Sequence, residues 1–181
     1  MKISIQNRRR KIVNIKNDFP DSIIIDVTSR GIEPTVKFSP FYPIGNIPIP
    51  YSDGHFSQCV EGIWQGLKVF NEYDVDQSKF KVSNMKGLKR TVRKYGPPKG
   101  HRKGVNGSEL LDYLTARKLI YLPSYKWVLD NKLQEEVEHL RKIAESKHLI
   151  LLDYETNGDV HNLKKPLSHA QLIKMYLEDR F

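Results

Sequence analysis

The chain has 181 residues, of which 39% are hydrophobic and 10% aromatic, enough apolar surface for a real core and too much for intrinsic disorder. No stretch approaches the roughly 20 consecutive apolar residues of a membrane helix, and no apolar run follows the basic residues Met1 to Arg10, which argues against a secretory signal. Cys59 is the only cysteine, which excludes an internal disulfide and favours a reducing, cytoplasmic setting.

Positive charge is concentrated in one part of the chain. The formal net charge is +9, yet the charge that remains outside a single stretch sums to −1. This stretch, the basic segment (residues 79–103), contains no acid and ten cations: Lys79, Lys81, Lys86, Lys89, Arg90, Arg93, Lys94, Lys99, Arg102 and Lys103. A charge excess confined to one segment indicates a local anionic partner.

The opening third of the chain is predicted to be extended and then looped. The β-branched residues from Ser22 to Thr28 are typical of a strand, and the apolar stretch from Ile12 to Ile15 falls in the same extended region. Four prolines between Phe38 and Pro50 exclude a helix and a central strand, so an ordered loop is predicted there. Asp53 and Gly54 mark a turn after it.

Helical periodicity begins after this loop. Apolar residues recur at helical spacing and predict a helix from Ser57, its N-cap, to Phe70. The next predicted elements are a helix within 86–94 ended by Gly96 and a loop at 96–107. Two helices are then predicted, one from Ser108 that Pro123 breaks and a further one that carries Val128 to Ile143. A buried strand at 148–154, a turn at 156–159 and a last helix capped by Ser168 complete the chain. Strands at both ends with helices between them predict an α+β fold.

Three polar residues of the first helix are spaced for joint chemistry. Glu61, Gln65 and Lys68 lie at i, i+4 and i+7, so they share one helix face. Glu61 can shuttle a proton, Gln65 can fix a base or sugar edge, and Lys68 can hold a phosphate or attack an aldehyde-like ribose carbon. The alternative is an ordinary solvated face with one charge pair.

The segment that carries this helix resembles the NADAR (YbiA-like) superfamily of N-glycosidases. That family has a pattern like S-N-F-Y-P in a proline-rich loop, then a turn, then a helix like V-E-H-A-Y-Q-A-x-K. Here the loop contains Gly45-Asn46-Ile-Pro-Ile-Pro50, and the helix reads Val60-Glu-Gly-Ile-Trp-Gln-Gly-Leu-Lys68, with Val, Glu, Gln and Lys in register. The chain departs from the pattern at Gly62, where the family usually has His, and after Asp159, where the family's Trp-Gly is missing.

The length predicts a single domain over residues 1–181, with an extended segment at 1–37, a core at 38–160 and a C-terminal helix at 161–181. The resemblance covers roughly residues 38–160 and implies a YbiA-like core there. It implies hydrolysis of a C1′–N bond in a ribosyl-base or ADP-ribosyl-base substrate, which includes ADP-ribosylated guanine in nucleic acid, without metal or cofactor. The implied roles are a carboxylate from Glu61 or Asp159 for the oxocarbenium-like sugar, sugar contacts from Asn46 and Gln65, phosphate contacts from Lys68, Arg90 and Arg102, and an aromatic platform from Trp64, Phe41 or Tyr42.

Other interpretations remain open from the sequence. The basic segment is also typical of a non-catalytic module that binds DNA or RNA, of a lid over a diphosphate, and of an assembly surface for an acidic partner. His101 is predicted to be a surface histidine. Cys59 is interpreted as a small buried residue, with a thiol of lowered pKa as the alternative. Trp64 is interpreted as a core residue only, with the aromatic platform as the alternative.

Overall fold

The computed structural model describes residues 1–181 and contains short helices and three small sheets, a mixed α+β arrangement. The strands are β1 (Lys2–Asn7), β2 (Ile23–Asp26), β3 (Ile47–Pro48), β4 (Phe56–Ser57), β5 (Lys68–Val69), β6 (Gly100–Arg102), β7 (Leu110–Leu111) and β8 (His148–Asp153). The α-helices are α1 (Ile12–Asp18), α2 (Val60–Gly66), α3 (Val92–Tyr95), α4 (Tyr113–Ala116), α5 (Leu122–Asn131), α6 (Gln134–Ser146) and α7 (His169–Leu177). None of these helices is both long and apolar enough to cross a membrane.

The chain divides into two compact units by its internal contacts. Unit 1 comprises Met1–Ser39 and Leu129–Phe181, and unit 2 comprises Pro40–Val128. Unit 1 is therefore built from both ends of the chain, whereas unit 2 is one continuous segment. The single domain predicted over residues 1–181 stays a prediction.

A three-stranded parallel sheet in the order β1-β8-β2 organises unit 1. The central strand β8 has Leu149 to Leu152 fully buried, as the continuous apolar run predicted, because a central parallel strand is covered on both faces. One face is covered by α1, whose Ile15 packs with Ile150 and Leu152. The predicted strand and the predicted Ser168 cap are confirmed, since the Ser168 hydroxyl accepts a hydrogen bond from the Gln171 amide.

The extended prediction for the first 37 residues is wrong at α1. Ile12, Ile15 and Phe19 recur at helical spacing, and Ile15 is completely buried. The topology requires a crossover here, because β1 and β2 both run parallel to β8 and cannot be joined by a tight hairpin. The last helix also covers only His169–Leu177, less than the predicted 161–181.

A buried ion pair closes the carboxyl end of β8. The His169 ring lies with Nδ1 3.0 Å from Asp153 Oδ2, and its Nε2 is 2.8 Å from the Val27 carbonyl oxygen, while the Ser168 hydroxyl donates to Asp153 at 2.8 Å. Burial alone lowers the pKa of His169, but the Asp153 carboxylate outweighs burial and raises it. The contacts with His169 and Ser168 likewise outweigh burial at Asp153 and lower the pKa of its carboxyl.

Unit 2 carries two antiparallel sheets, the β3-β4 pair and β5-β6-β7. The predicted helix from Ser57 to Phe70 is too long at both ends. Ser57 is not its cap, because its hydroxyl donates to the Cys59 carbonyl, and the Cys59 sulfur instead accepts from the Gly62 amide. The helix ends at Gly66 because the next residues form β5 and pair with β6.

The later predictions in unit 2 are correct in part. The helix expected within 86–94 is only α3, although Gly96 at φ 79° does end it. The predicted loop at 96–107 contains β6, and the helix expected from Ser108 begins at Tyr113. Pro123 does not separate two helices: a π-helical turn, Arg117–Tyr121, leads directly into α5, where Pro123 occupies the first turn. The single helix predicted to carry Val128 to Ile143 is wrong, because α5 and α6 are separate helices.

Candidate functional site

A row of buried polar side chains runs along α2 and into β5. Glu61 and Gln65 are 8% and 6% exposed, and Lys68 is half-buried. The Gln65 amide nitrogen donates to Glu61 Oε1 at 2.8 Å, and Lys68 Nζ donates to Gln65 Oε1 at 3.1 Å. The helix face predicted from the spacing is confirmed for Glu61 and Gln65, whereas Lys68 lies in β5 and reaches Gln65 from there. The alternative of a solvated face is wrong for Glu61 and Gln65.

The backbone around α2 packs too closely for ordinary side chains. A Cβ atom at Gly62 would lie 2.7 Å from the Lys79 carbonyl oxygen, and one at Gly66 would lie 2.1 Å from the Phe80 ring. These two glycines seat α2 against the 3-10 helix Gln77–Lys81. The Glu61 amide also donates to the Pro40 carbonyl at 2.8 Å. Position 62 therefore has no room for the histidine that the NADAR pattern carries there.

Burial shifts the two ionisable groups of the row in opposite directions. Burial raises the pKa of Glu61, and the Gln65 hydrogen bond and the Lys68 and Lys89 ammonium groups offset only part of that effect. Burial lowers the pKa of Lys68, which Glu61 partly opposes and Arg90 reinforces. Both shifts favour the neutral forms, so each group exchanges a proton more readily near neutral pH than it would in water.

Arg90 is a buried contact of the row. Its backbone amide donates to Gln65 Oε1 at 2.9 Å, and its guanidinium donates to the carbonyls of Lys68 at 2.5 Å and Asp74 at 3.0 Å. The guanidinium also lies over the Phe70 ring, 4.8 Å from the centroid, and it is 4% exposed. Arg90 therefore fixes the ends of α2 and β5, a different task from the phosphate contact that the resemblance implies.

His101 is a buried part of this site, so its prediction as a surface residue is wrong. Its ring is 1% exposed and stacks on Trp64 with the centroids 3.8 Å apart, and strand pairing places it opposite Lys68. Neither ring nitrogen has a hydrogen-bond partner. Burial and the neighbouring Lys68 lower the pKa of His101 to about 3. The Trp64 carbonyl opposes this lowering only in part, and it lies outside hydrogen-bonding geometry. His101 is therefore a neutral imidazole with an unfilled donor and acceptor.

Trp64 is confirmed as a core residue, 9% exposed. Its indole ring contacts the rings of Tyr113 and Tyr121 at 5.6 Å as well as His101. Of the other predicted aromatic residues, Phe41 and Tyr42 are half-buried, and the Lys89 ammonium lies 5.6 Å from the Phe41 ring centroid.

The remaining predicted residues lie outside the hydrogen-bonded row. Asn46 is exposed and has a left-handed backbone at φ 54°, which asparagine tolerates. Asp159 belongs to unit 1, whereas Glu61 belongs to unit 2. Asp159 is exposed, and its carboxylate accepts a hydrogen bond from the His161 amide at 2.8 Å. Arg102 pairs with Asp74 at 2.6 Å, which raises the pKa of Arg102. The roles implied for these residues stay predictions.

Part of the basic segment is engaged within the protein. Besides Arg90 and Arg102, Lys103 pairs with Glu109 at 2.8 Å and Lys79 donates to the Gly87 carbonyl at 2.7 Å. Six exposed cations have no acidic side chain within 4.0 Å: Lys81, Lys86, Lys89, Arg93, Lys94 and Lys99. The charge available to an anionic partner is therefore smaller than the sequence indicates.

Cys59 caps α2 and does not provide a reactive thiolate. It is fully buried, as interpreted from the sequence, and burial raises its pKa to about 11. No three His, Cys, Asp or Glu side chains are placed together to hold a metal ion.

The model of a family of unknown function, DUF6939, matches residues 7–173, so the chain belongs to this family. The match covers most of both units. No curated protein and no solved structure matches the chain. The resemblance to NADAR proteins therefore rests on the loop and helix motifs alone and stays a prediction.

Proposed function

We propose that this protein is an N-glycosidase that hydrolyses the C1′–N bond of a ribosyl-base or ADP-ribosyl-base substrate. The observation that carries the proposal is the buried, hydrogen-bonded row of Glu61, Gln65 and Lys68. A glycosidic bond of this kind breaks through a cation-like sugar, which needs an anionic neighbour, and the departing base needs a proton. A carboxyl of raised pKa beside an ammonium of lowered pKa can meet both needs.

The proposed reaction uses the two ends of the row for two proton transfers. The Glu61 carboxylate stabilises the developing positive charge at C1′ and takes a proton from the attacking water, whose oxygen forms the new bond to C1′. The electron pair of the broken C1′–N bond stays on the base nitrogen, which takes a proton from the Lys68 ammonium. Glu61 then returns its proton to solvent and Lys68 regains one. Gln65 holds the two groups in one orientation through both of its hydrogen bonds.

An aromatic and cationic surface supports a nucleotide-derived substrate. The half-buried Phe41, with the Lys89 ammonium over its ring, provides an aromatic surface and a cation for the phosphate end. The proposal does not depend on Asp159.

The proposal is tested by product analysis with matched variants. Wild type, Glu61→Gln and Glu72→Gln are incubated with NAD, ADP-ribose, a ribosylamino-pyrimidine phosphate and guanine-ADP-ribosylated DNA, and the products are identified by mass spectrometry. Glu72 is an exposed acid in the same unit and serves as the charge-matched control. We expect wild type and Glu72→Gln to release base or ADP-ribose and Glu61→Gln to release none. Full activity of Glu61→Gln, or no release by wild type, contradicts the proposal.

The exposed cations of the basic segment support a second candidate function, non-catalytic binding of DNA or RNA. The cations Lys81, Lys86, Arg93 and Lys99 lack acidic partners, so their neutralisation should weaken such binding and reduce its dependence on salt. Arg90 and Arg102 are unsuitable targets because their loss would disturb the contacts described above. A salt titration of oligonucleotide binding with Glu61→Gln separates the two functions, because binding without catalysis does not need Glu61.

A further inference from the structure

A second concentration of positive charge lies in unit 1, outside the basic segment. It surrounds an open cavity of about 770 Å³ that has five cations in its lining: Arg8, Arg9, Arg10, Lys11 and Lys16. Four of them are consecutive and follow β1 directly, and the first acid in the chain is Asp18. The cavity volume falls within the usual range for small-molecule sites, roughly 300–1,000 Å³.

Two of the five cations are held in place by acids. Arg8 pairs with Asp26 at 2.9 Å, and Arg10 pairs with Asp18 and also donates to Gln6 at 3.0 Å. These contacts fix the two guanidinium groups and balance their charge.

The other three cations have no acidic partner, so they keep their charge for a ligand. The Lys16 ammonium donates to the carbonyl oxygen of Ser22. The Arg9 guanidinium lies 5.5 Å from the centroid of the Tyr154 ring. Lys11 precedes α1, and its side chain makes neither a capping hydrogen bond nor an ion pair. A net excess of three positive charges around one cavity is suited to a multiply charged anion.

The same cavity has apolar lining that no part of the chain covers. Ile12 and Ile23 line it and are 50% and 39% exposed, unusually high for isoleucine, and the buried Leu152 lies in its lining as well. Inorganic phosphate would not use this apolar surface, whereas the base and sugar of a nucleotide would. A clustered set of cations also fits a compact ligand better than the extended backbone of a nucleic acid, which needs cations spread along its path.

We infer that this cavity binds a nucleoside diphosphate or a similar small organic phosphate, with Arg9, Lys11 and Lys16 on the phosphates and the isoleucines against the organic part. This site is in unit 1 and is independent of the proposed glycosidase site in unit 2.

The test is calorimetric titration of the full chain with ADP, pyrophosphate and adenosine. The variant is Arg9→Gln/Lys11→Gln, whose original side chains make no hydrogen bond that the fold needs. The control is Lys142→Gln/Lys147→Gln, which removes the same charge from exposed positions of unit 1 outside the cavity. Circular dichroism verifies that all three proteins are folded.

We expect ADP to bind wild type and the control equally, and the Arg9→Gln/Lys11→Gln protein at least about tenfold more weakly, since each charge-assisted contact is worth about a factor of ten. Pyrophosphate and adenosine should each bind more weakly than ADP. ADP can also bind at the glycosidase site. Only the difference in ADP affinity between wild type and the Arg9→Gln/Lys11→Gln protein therefore measures binding in the cavity of unit 1. Equal ADP affinity in all three proteins overturns the inference. An oligonucleotide is titrated in the same way, and binding of the oligonucleotide but not of ADP that depends on Arg9 and Lys11 also overturns it. Hydrolysis is also measured for the Arg9→Gln/Lys11→Gln protein and should equal that of wild type. The nucleotide-binding result in unit 1 is thereby distinguished from a failure of the glycosidase proposal in unit 2.

Discussion

The contact between Gly66 and Phe80 offers a quantitative test of how α2 is held. A Cβ atom at Gly66 would lie 2.1 Å from Cε1 and 2.8 Å from Cζ of Phe80, whose side chain is 4% exposed and cannot turn into solvent. Replacing a helical glycine by alanine gains at most about 1 kcal/mol, while forced rearrangement of a packed core costs about 1–3 kcal/mol. We therefore expect Gly66→Ala to lower the free energy of unfolding by about 1–2 kcal/mol.

The assay is urea denaturation of the full chain followed by far-ultraviolet circular dichroism, arranged as a double-mutant cycle. Phe80→Ala removes the whole ring, including the Cδ1 atom that would lie 2.7 Å from the added Cβ, so the penalty of Gly66→Ala should largely disappear in that background. Gly62→Ala is the control, because its added Cβ meets the backbone oxygen of Lys79 at 2.7 Å and its penalty should persist. A Gly66→Ala penalty of equal size in both backgrounds would refute the steric reasoning.

Three further predictions concern buried polar groups. Because Asp153 raises the pKa of His169 above its ordinary 6.5, the stability from this pair is complete below pH 6.5 and is lost as the pH rises through the folded pKa. Chemical denaturation at pH 6 and pH 9 should therefore show a smaller loss of unfolding free energy for His169→Gln than for wild type. Equal losses in the two proteins would contradict this prediction. Glu61→Gln keeps an acceptor for Gln65 and removes a carboxyl of raised pKa, so its melting temperature at pH 8 should equal or exceed that of wild type; a clear decrease would show that the charge itself stabilises the fold. The buried Ser124 hydroxyl has no hydrogen-bond partner, so Ser124→Ala should be neutral or stabilising by up to about 1 kcal/mol in urea titrations, and a loss above that would reveal a missing partner.

The parts of the fold that follow from local rules were predictable from the sequence. Strand β8 is a continuous apolar run, Ser168 has the side chain of an N-cap, and Glu61 and Gln65 have a spacing that helical geometry alone brings to one face. Each of these features depends on residues within a few positions of one another. The burial of the polar row was not predictable, because segments distant in sequence, including Arg90 and the 3-10 helix, cover it.

The missed elements are those that tertiary pairing decides. Leu67 and Phe70 continue the apolar spacing of α2, yet the chain between them pairs with β6 and is a strand. Strand β6 has only three residues within a glycine-rich stretch, so no local pattern marks it, and the burial of His101 does not follow from the sequence. α1 is short and has one buried residue, too little periodicity to distinguish it from an extended segment.

The position of β8 between β1 and β2 sets an order for folding during synthesis. The first two strands leave the ribosome early but cannot pair with each other, because the strand that joins them ends at Asp153. Unit 2 is continuous and is complete once Val128 has emerged, so it can fold while the sheet of unit 1 still lacks its centre. A nascent chain stalled before residue 148 lacks β8, so the unpaired edges of β1 and β2 should be exposed to chaperones or to aggregation.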